Sequence, residues 1–220
     1  MDLRQVKVYV ISPAVGKYEI RLRNTLSKLR QVGFQDIEHV PSVPDENPTN
    51  SLSLTNLVIF EKEKDNTRPF IIIEDDIQVE DTITDDMWCL TIPEDAVAVY
   101  LGVSLWIYPY GYHTLSCGKH IRLITPEETI SYNDRLVSIK GMTSTHAILF
   151  LDRSFIHTLS LCIRSYLNVR TPHDLIMATL QQHYQVYALK QPLFYQDVQE
   201  GGQQLETRLI WLENKFYLRI

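Results

Sequence analysis

Glycine and cysteine are both scarce in this 220-residue chain, with eight of the first and three of the second. There is no GxGxxG after the first apolar run and no GxxxxGKS/T, so the glycine loops that cradle a dinucleotide or a nucleoside triphosphate are missing. Cys89, Cys117 and Cys162 lie far apart without CxxC spacing, which argues against a disulfide framework or a thiolate zinc site and makes a reducing compartment the default. No GxSxG nucleophile elbow and no HExxH ligand set occurs. Long hydrophobic runs are absent too. The longest uncharged stretch, Ala96 to Gly118 with His counted neutral, contains Gly102, Ser104, Pro109, Tyr110, Gly111 and His113, and reads as a buried strand plus loop rather than a membrane span. The N-terminal MDLRQVKVYVIS has an apolar run of Val8 to Ser12 at most and no small-residue cleavage site, so no signal peptide is expected and a cytoplasmic location is.

What is present is a globular balance, 45% hydrophobic and 22% charged, which excludes a disordered, collagen-like or coiled-coil chain. Its size fits one domain over residues 1–220, with a tail of about 198–220 packing on it. The net charge of −6 is local. Glu74, Asp75, Asp76, Glu80, Asp81, Asp85 and Asp86 supply seven acids with no base among them, and without them 20 acids face 21 bases. Nothing in that balance points to a nucleic-acid surface. The run from Glu80 to Asp86 reads as a solvated loop; Glu74 to Asp76 does not.

Apolar patterning alternates between the two regular periods. Lys7 to Ile11 reads as a buried strand ending at Ser12-Pro13. Leu22, Leu26, Leu29 and Val32 recur at helical spacing over Lys17 to Val32, with Gly33 beyond as the cap. Phe34 to Val40 reads as a strand, and Ser51 as the cap of a helix carrying Leu52, Leu54, Leu57, Val58 and Phe60. Pro69-Phe-Ile-Ile-Ile needs both faces covered, and Ala96 to Val103 is another buried strand. Tyr108 to Asn133 reads as irregular. Thr145 to Leu151 is a strand leading to a helix over about Asp152 to Leu167. Thr171-Pro172 opens a further helix with proline in its first position, Gln185 to Leu189 is a last strand, and Gly201-Gly202 breaks the tail before Leu205 to Leu212. Strands alternating with helices predict an α/β fold with a mostly parallel central sheet flanked by helices.

The chemistry concentrates in FIIIEDD. Ligands of open α/β sheets bind beyond the carboxyl ends of the strands, where Glu74, Asp75 and Asp76 stand. Packed carboxylates need a cation, and hard oxygen ligands suit Mg²⁺ or Mn²⁺ sharing its remaining positions with water and phosphate. Alternation along an extended backbone places Glu74 and Asp76 on one side and Asp75 on the other. Asp76 is therefore the expected metal ligand, with Glu74 beside it on the metal, on a sugar, or behind the ligand. His146, in THAILF, reads as a hydrogen-bonded core histidine. His173-Asp174 opens a helix and has two readings, a capping-box-like pair of Thr171 with Asp174 or a catalytic base. Arg21 and Arg23 read either as phosphate-reaching cations or as the surface of an amphipathic helix.

Taken in order, VYVIS, RLRNTLSKLRQVGF, SLSLTNLVIFEK, PFIIIEDDI, AVAVYLG, GMTSTHAILF and TPHDLIMA resemble a glycosyltransferase of the GT-A type. The likeness is to family 25, the lipopolysaccharide-biosynthesis and collagen-galactosyltransferase group, and to chlorella-virus glycosyltransferase domains, over about two-thirds of the chain. It implies a GT-A-like fold and transfer of a sugar from a nucleotide-diphosphate donor, UDP-linked, to an acceptor hydroxyl, with inversion. It further implies that Ser12, Pro13, Arg21, Glu74 and Asp75 bind the sugar-nucleotide, that Asp76 and Glu74 hold Mn²⁺ or Mg²⁺, and that Asp174, or else His173, is the base. The acceptor could be a glycan, a protein or, least supported, a modified nucleobase. A non-catalytic nucleotide-sugar-binding module and a sugar nucleotidyltransferase are the alternative readings.

Overall fold

In a computed structural model the described residues are 1–79, 83–102, 131–142 and 145–196, with backbone alone at 112–114, 120–122 and 130. Strand β1 (Lys7–Ser12) is followed by helix α1 (Lys17–Gln31), β2 (Ile37–Pro41), α2 (Pro48–Lys62), β3 (Phe70–Glu74) and β4 (Ile77–Val79). Next come β5 (Ala98–Tyr100), a separate hairpin of β6 (Tyr112–Thr114) and β7 (His120–Arg122), β8 (Ile130–Ser131) and β9 (Leu136–Ile139). The chain closes through β10 (Ala147–Phe150), α3 (Arg153–Tyr166), α4 (His173–Leu180), β11 (Val186–Leu189) and β12 (Phe194–Gln196).

Eight strands form one sheet in the order β2-β1-β3-β10-β5-β11-β9-β8. The pairings of β1 with β2 and β3, and of β5 with β11, are parallel; β10 and β9 run against their neighbours. The expected α/β class with a mostly parallel central sheet and flanking helices is thus observed, with β10 wedged antiparallel between β3 and β5.

Both sheet faces are covered, as the unbroken Phe-Ile-Ile-Ile run requires. Tyr9, Ile11, Phe70, Ile72 and Phe150 point to a core closed by Phe60 of α2, Phe155 and Leu159 of α3 and Ile176 of α4. Val8, Val10, Ile71 and Ile73 point to the other, closed by Leu29 of α1 with Phe34, Trp88 and Phe194. Phe34 lies before β2, edge-on to Trp88 with ring centroids 5.4 Å apart. The strand expected from Phe34 therefore starts only at Ile37, because Gly33 (φ +103°) turns the chain and the ring serves the core.

Two helix starts differ from expectation. Helix α2 is capped by Asn47, which accepts from the Thr49 amide, with Pro48 at its first position; Ser51 lies inside the first turn and its hydroxyl donates to Val43 O. Pro172, rather than Thr171, is the N-cap of α4, so the proline sits one place before the helix instead of inside it. Most of Tyr108 to Asn133 and the whole tail, with Leu205 to Leu212, lie outside the described residues. Neither Cys89 nor Cys162 is in a disulfide, and among the described residues no helix is long and apolar enough to cross a membrane.

Candidate active site

From β1 the chain crosses to β2 on one side, then returns past β1 to β3 on the other. The carboxyl ends of β1 and β3 thus flank a topological switch point, the place where open α/β sheets open a crevice. Ile11 pairs with Glu74 in the register, so Ser12 and the acidic triad emerge side by side.

After Glu74 the chain turns at Asp75-Asp76 and re-enters extended structure as β4, which pairs with β12 (Gln196 opposite Ile77) instead of continuing the main sheet. That turn breaks the alternation expected of an extended backbone. Asp75 and Asp76 do not diverge: both reach Arg21 of α1, whose Nη2 lies 2.9 Å from Asp75 Oδ1 and 2.7 Å from Asp76 Oδ2. Arg21 is a buried cation, 8% exposed, whereas Arg23 is exposed on the same helix.

Asp75 is held from three directions. The Ser12 hydroxyl donates to its Oδ2, Arg21 takes Oδ1, and the Thr25 hydroxyl donates to its backbone oxygen at 2.8 Å. Ser12 Oγ also accepts the Ala14 amide at 3.1 Å, closing the loop before α1. Ala14 sits at φ +52°, a left-handed conformation that a non-glycine residue adopts at a cost. Pro13 is exposed at the mouth of this loop. Thr25 stands one turn beyond Arg21, and that i,i+4 spacing is the one sequence signal by which it could have been found.

Glu74 takes its place from β10. Its amide donates to His146 O at 2.9 Å, and the Thr145 hydroxyl lies 3.4 Å from its Oε1. Burial, and then the charges of Asp76, Asp75 and Asp174, push the Glu74 carboxyl up to about 8, so at neutral pH it is mostly protonated. Burial also raises Asp76 to about 6 against the opposing pull of Arg21. The electrostatic reach of Asp174 to Glu74 and to Tyr100 brings the first turn of α4 to the triad's side of the sheet. The Asp174 carboxylate accepts the Leu175 amide at 2.9 Å. His173 is 2% exposed and burial lowers its imidazole to about 4, leaving it neutral. His146 is a core histidine lowered likewise by burial, its ring against Gly102.

Behind these groups a buried amide ties three elements together. Gln181 donates from Nε2 to Tyr100 Oη at 2.9 Å and to Met142 O at 2.7 Å, and accepts the Met142 amide on Oε1. Nothing in the sequence marks Gln181, because its partners lie about 40 and 80 residues away. Among the described residues no group of three or more His, Cys, Asp or Glu side chains is gathered as a metal site.

No protein-family model matches the chain, and no curated protein matches it in sequence. Solved structures do. One is described as a glycosyltransferase involved in the glycosylation of the major capsid of PBCV-1; it superposes with a TM-score of 0.50 over 94% of this chain and 99% of its own, at 10% identity. The chain shares the fold of that structure. At that identity the likeness is one of architecture, and no side chain of this site takes its role from it.

Proposed function

We propose that the protein is a glycosyltransferase that moves a sugar from a nucleotide-diphosphate donor, UDP-linked, onto an acceptor hydroxyl with inversion. The observation that carries this reading is the convergence of Ser12, Arg21, Asp75 and Asp76, all buried, at the β1/β3 switch point of a fold shared with a glycosyltransferase. The narrower likeness to family 25 rests on the order of sequence elements alone.

Asp76 Oδ1 is buried and has no hydrogen-bond partner, and the Asp76 charge is the strongest of those that disfavour ionised Glu74. A pair of hard oxygen donors in need of a cation fits Mg²⁺ or Mn²⁺, with Asp76 and Glu74 as the holders. Such an ion would neutralise charge on the departing diphosphate. Ser12, Pro13, Arg21 and Asp75 line the donor side of the crevice. Asp174 is the candidate base: its carboxylate would take the acceptor's hydroxyl proton as the new bond to the anomeric carbon forms and the nucleoside diphosphate leaves. His173, buried, is the second candidate.

The deciding experiment is a thermal-shift panel of UDP, GDP, CDP and dTDP with and without Mn²⁺, on wild type and Asp76→Asn. Saturation a hundredfold above Kd stabilises by about 2.7 kcal/mol, a rise of several degrees for a domain of this size. A rise with UDP that needs both Mn²⁺ and Asp76 is expected; no shift with any nucleotide would overturn the reading. Asp174→Asn then separates an enzyme from a binding module. Transfer should fall ~10²-fold or more with the fold intact if Asp174 is the base, whereas a helix-start role alone costs about 1 kcal/mol of stability at most and leaves the rate unchanged.

A further inference from the structure

Arg21 serves two carboxylates with one nitrogen. Its Nη2 contacts both Asp75 and Asp76, with the three side chains 10%, 6% and 8% exposed. A guanidinium pairs best as a fork, giving two parallel bonds to one carboxylate; here neither carboxylate is held that way, and Arg21 Nε is buried with no partner. Asp76 Oδ1 is the matching orphan on the acid side. Asp75 differs, because Ser12 and Arg21 occupy both of its oxygens. A buried ion pair offsets its desolvation only when the remaining polar atoms are satisfied, and the Arg21–Asp76 pair leaves one unsatisfied on each side.

We infer that Arg21 is the resident counter-cation of Asp76 and competes with the divalent ion for it, so that the ion binds well only when a diphosphate draws the guanidinium away. This rests on the donor-site reading above. A diphosphate offers Arg21 the bidentate oxygens that neither aspartate provides, and would satisfy the stranded Nε. Asp76 is then left with both oxygens for the ion. Nucleotide and ion each raise the other's affinity, by the same factor in both directions. Arg21 thus acts as a positioning residue that makes the order of loading interdependent.

The test is titration of Mn²⁺ into wild type, Arg21→Gln, Arg21→Lys and Asp76→Asn, with free Mn²⁺ followed by electron paramagnetic resonance, with and without UDP. Wild type should bind Mn²⁺ weakly alone and ~10-fold or more tightly with UDP. Arg21→Gln should bind Mn²⁺ alone ~10-fold tighter than wild type, and its further gain from UDP should shrink. Arg21→Lys, which replaces the fork by a compact and strongly hydrated ammonium, should fall between them. If Arg21→Gln does not fold, Arg21→Lys decides: a threefold gain in Mn²⁺ affinity supports the inference and no gain overturns it. Mn²⁺ binding that is lost in Asp76→Asn but unchanged or weakened in the Arg21 variants overturns the competition and leaves the donor site standing. Mn²⁺ binding indifferent to Asp76 overturns both.

Discussion

A methyl group added at Gly102 would lie 2.1 Å from Nε2 and 2.5 Å from Cδ2 of His146. The ring is the end of a side chain and can shift, but His146 is 1% exposed, so any shift is made against the surrounding core rather than into solvent. Gly102→Ala should therefore destabilise by about 1–3 kcal/mol, as overpacking does, seen as a lower urea midpoint at unchanged slope. A loss below about 0.5 kcal/mol would mean that the ring relaxes freely. At this scale the sequence is legible only where chemistry is dense. Three carboxylates after an apolar run mark the triad, yet Arg21, their buried partner, looks from the sequence like any cation of an amphipathic helix. The contact joins residues about 50 apart, and periodicity carries no information about it. Alternation gives the wrong side for Asp75 for a local reason: it holds only while the backbone stays extended, and the strand stops at Glu74.

Helices show how much is written locally and how much is not. Helix α3 places Phe155, Ile156, Leu159 and Ile163 in the core at helical spacing, and Asp152 caps it by accepting the Phe155 amide at 2.7 Å. Asp152→Ala should cost about 1 kcal/mol, measurable by denaturant unfolding, with Asp152→Asn costing less because an amide oxygen still caps. No loss in the alanine variant would mean that water replaces the cap fully. The α1 and α3 boundaries follow from spacing and caps to within a residue or two. The start of α2 does not, since Asn47-Pro48 and Ser51 both offer helix-start chemistry, and the outcome depends on Val43 O accepting the Ser51 hydroxyl. Strand direction is harder still. The apolar run Ala147–Phe150 identifies a buried strand, but its antiparallel insertion between β3 and β5 is a property of partners far away in the chain.

For the whole molecule, the buried acids and histidines give stability opposite dependences on pH, and a single substitution separates them. His146 and His173 ionise near 6.5 when unfolded but only near 4 in the native chain, so stability falls as pH drops through that interval. Asp76 moves from 3.8 to about 6 on folding and Glu74 from 4.5 to about 8, so each takes up a proton on folding and stability falls as pH rises through its interval. Below about 6.5 these slopes oppose one another. From 6.5 to 8 the unfolded histidines finish losing their protons while native Glu74 still holds one that the unfolded chain has lost; the shifted tyrosines Tyr9, Tyr100 and Tyr187 differ only above about 10. Holding most of a proton that the unfolded chain has lost, native Glu74 should make wild-type stability decline relative to Glu74→Gln, on the order of 1–2 kcal/mol from pH 6.5 to 8. Glu74→Gln, which keeps the shape and cannot ionise, retains the histidine contribution alone and should rise slightly over the same interval. Urea unfolding of both proteins at the two ends of that window checks it. A wild type that follows the variant's profile would mean that Glu74 is already ionised in the folded chain, and that its charge is met by a cation closer than Arg21.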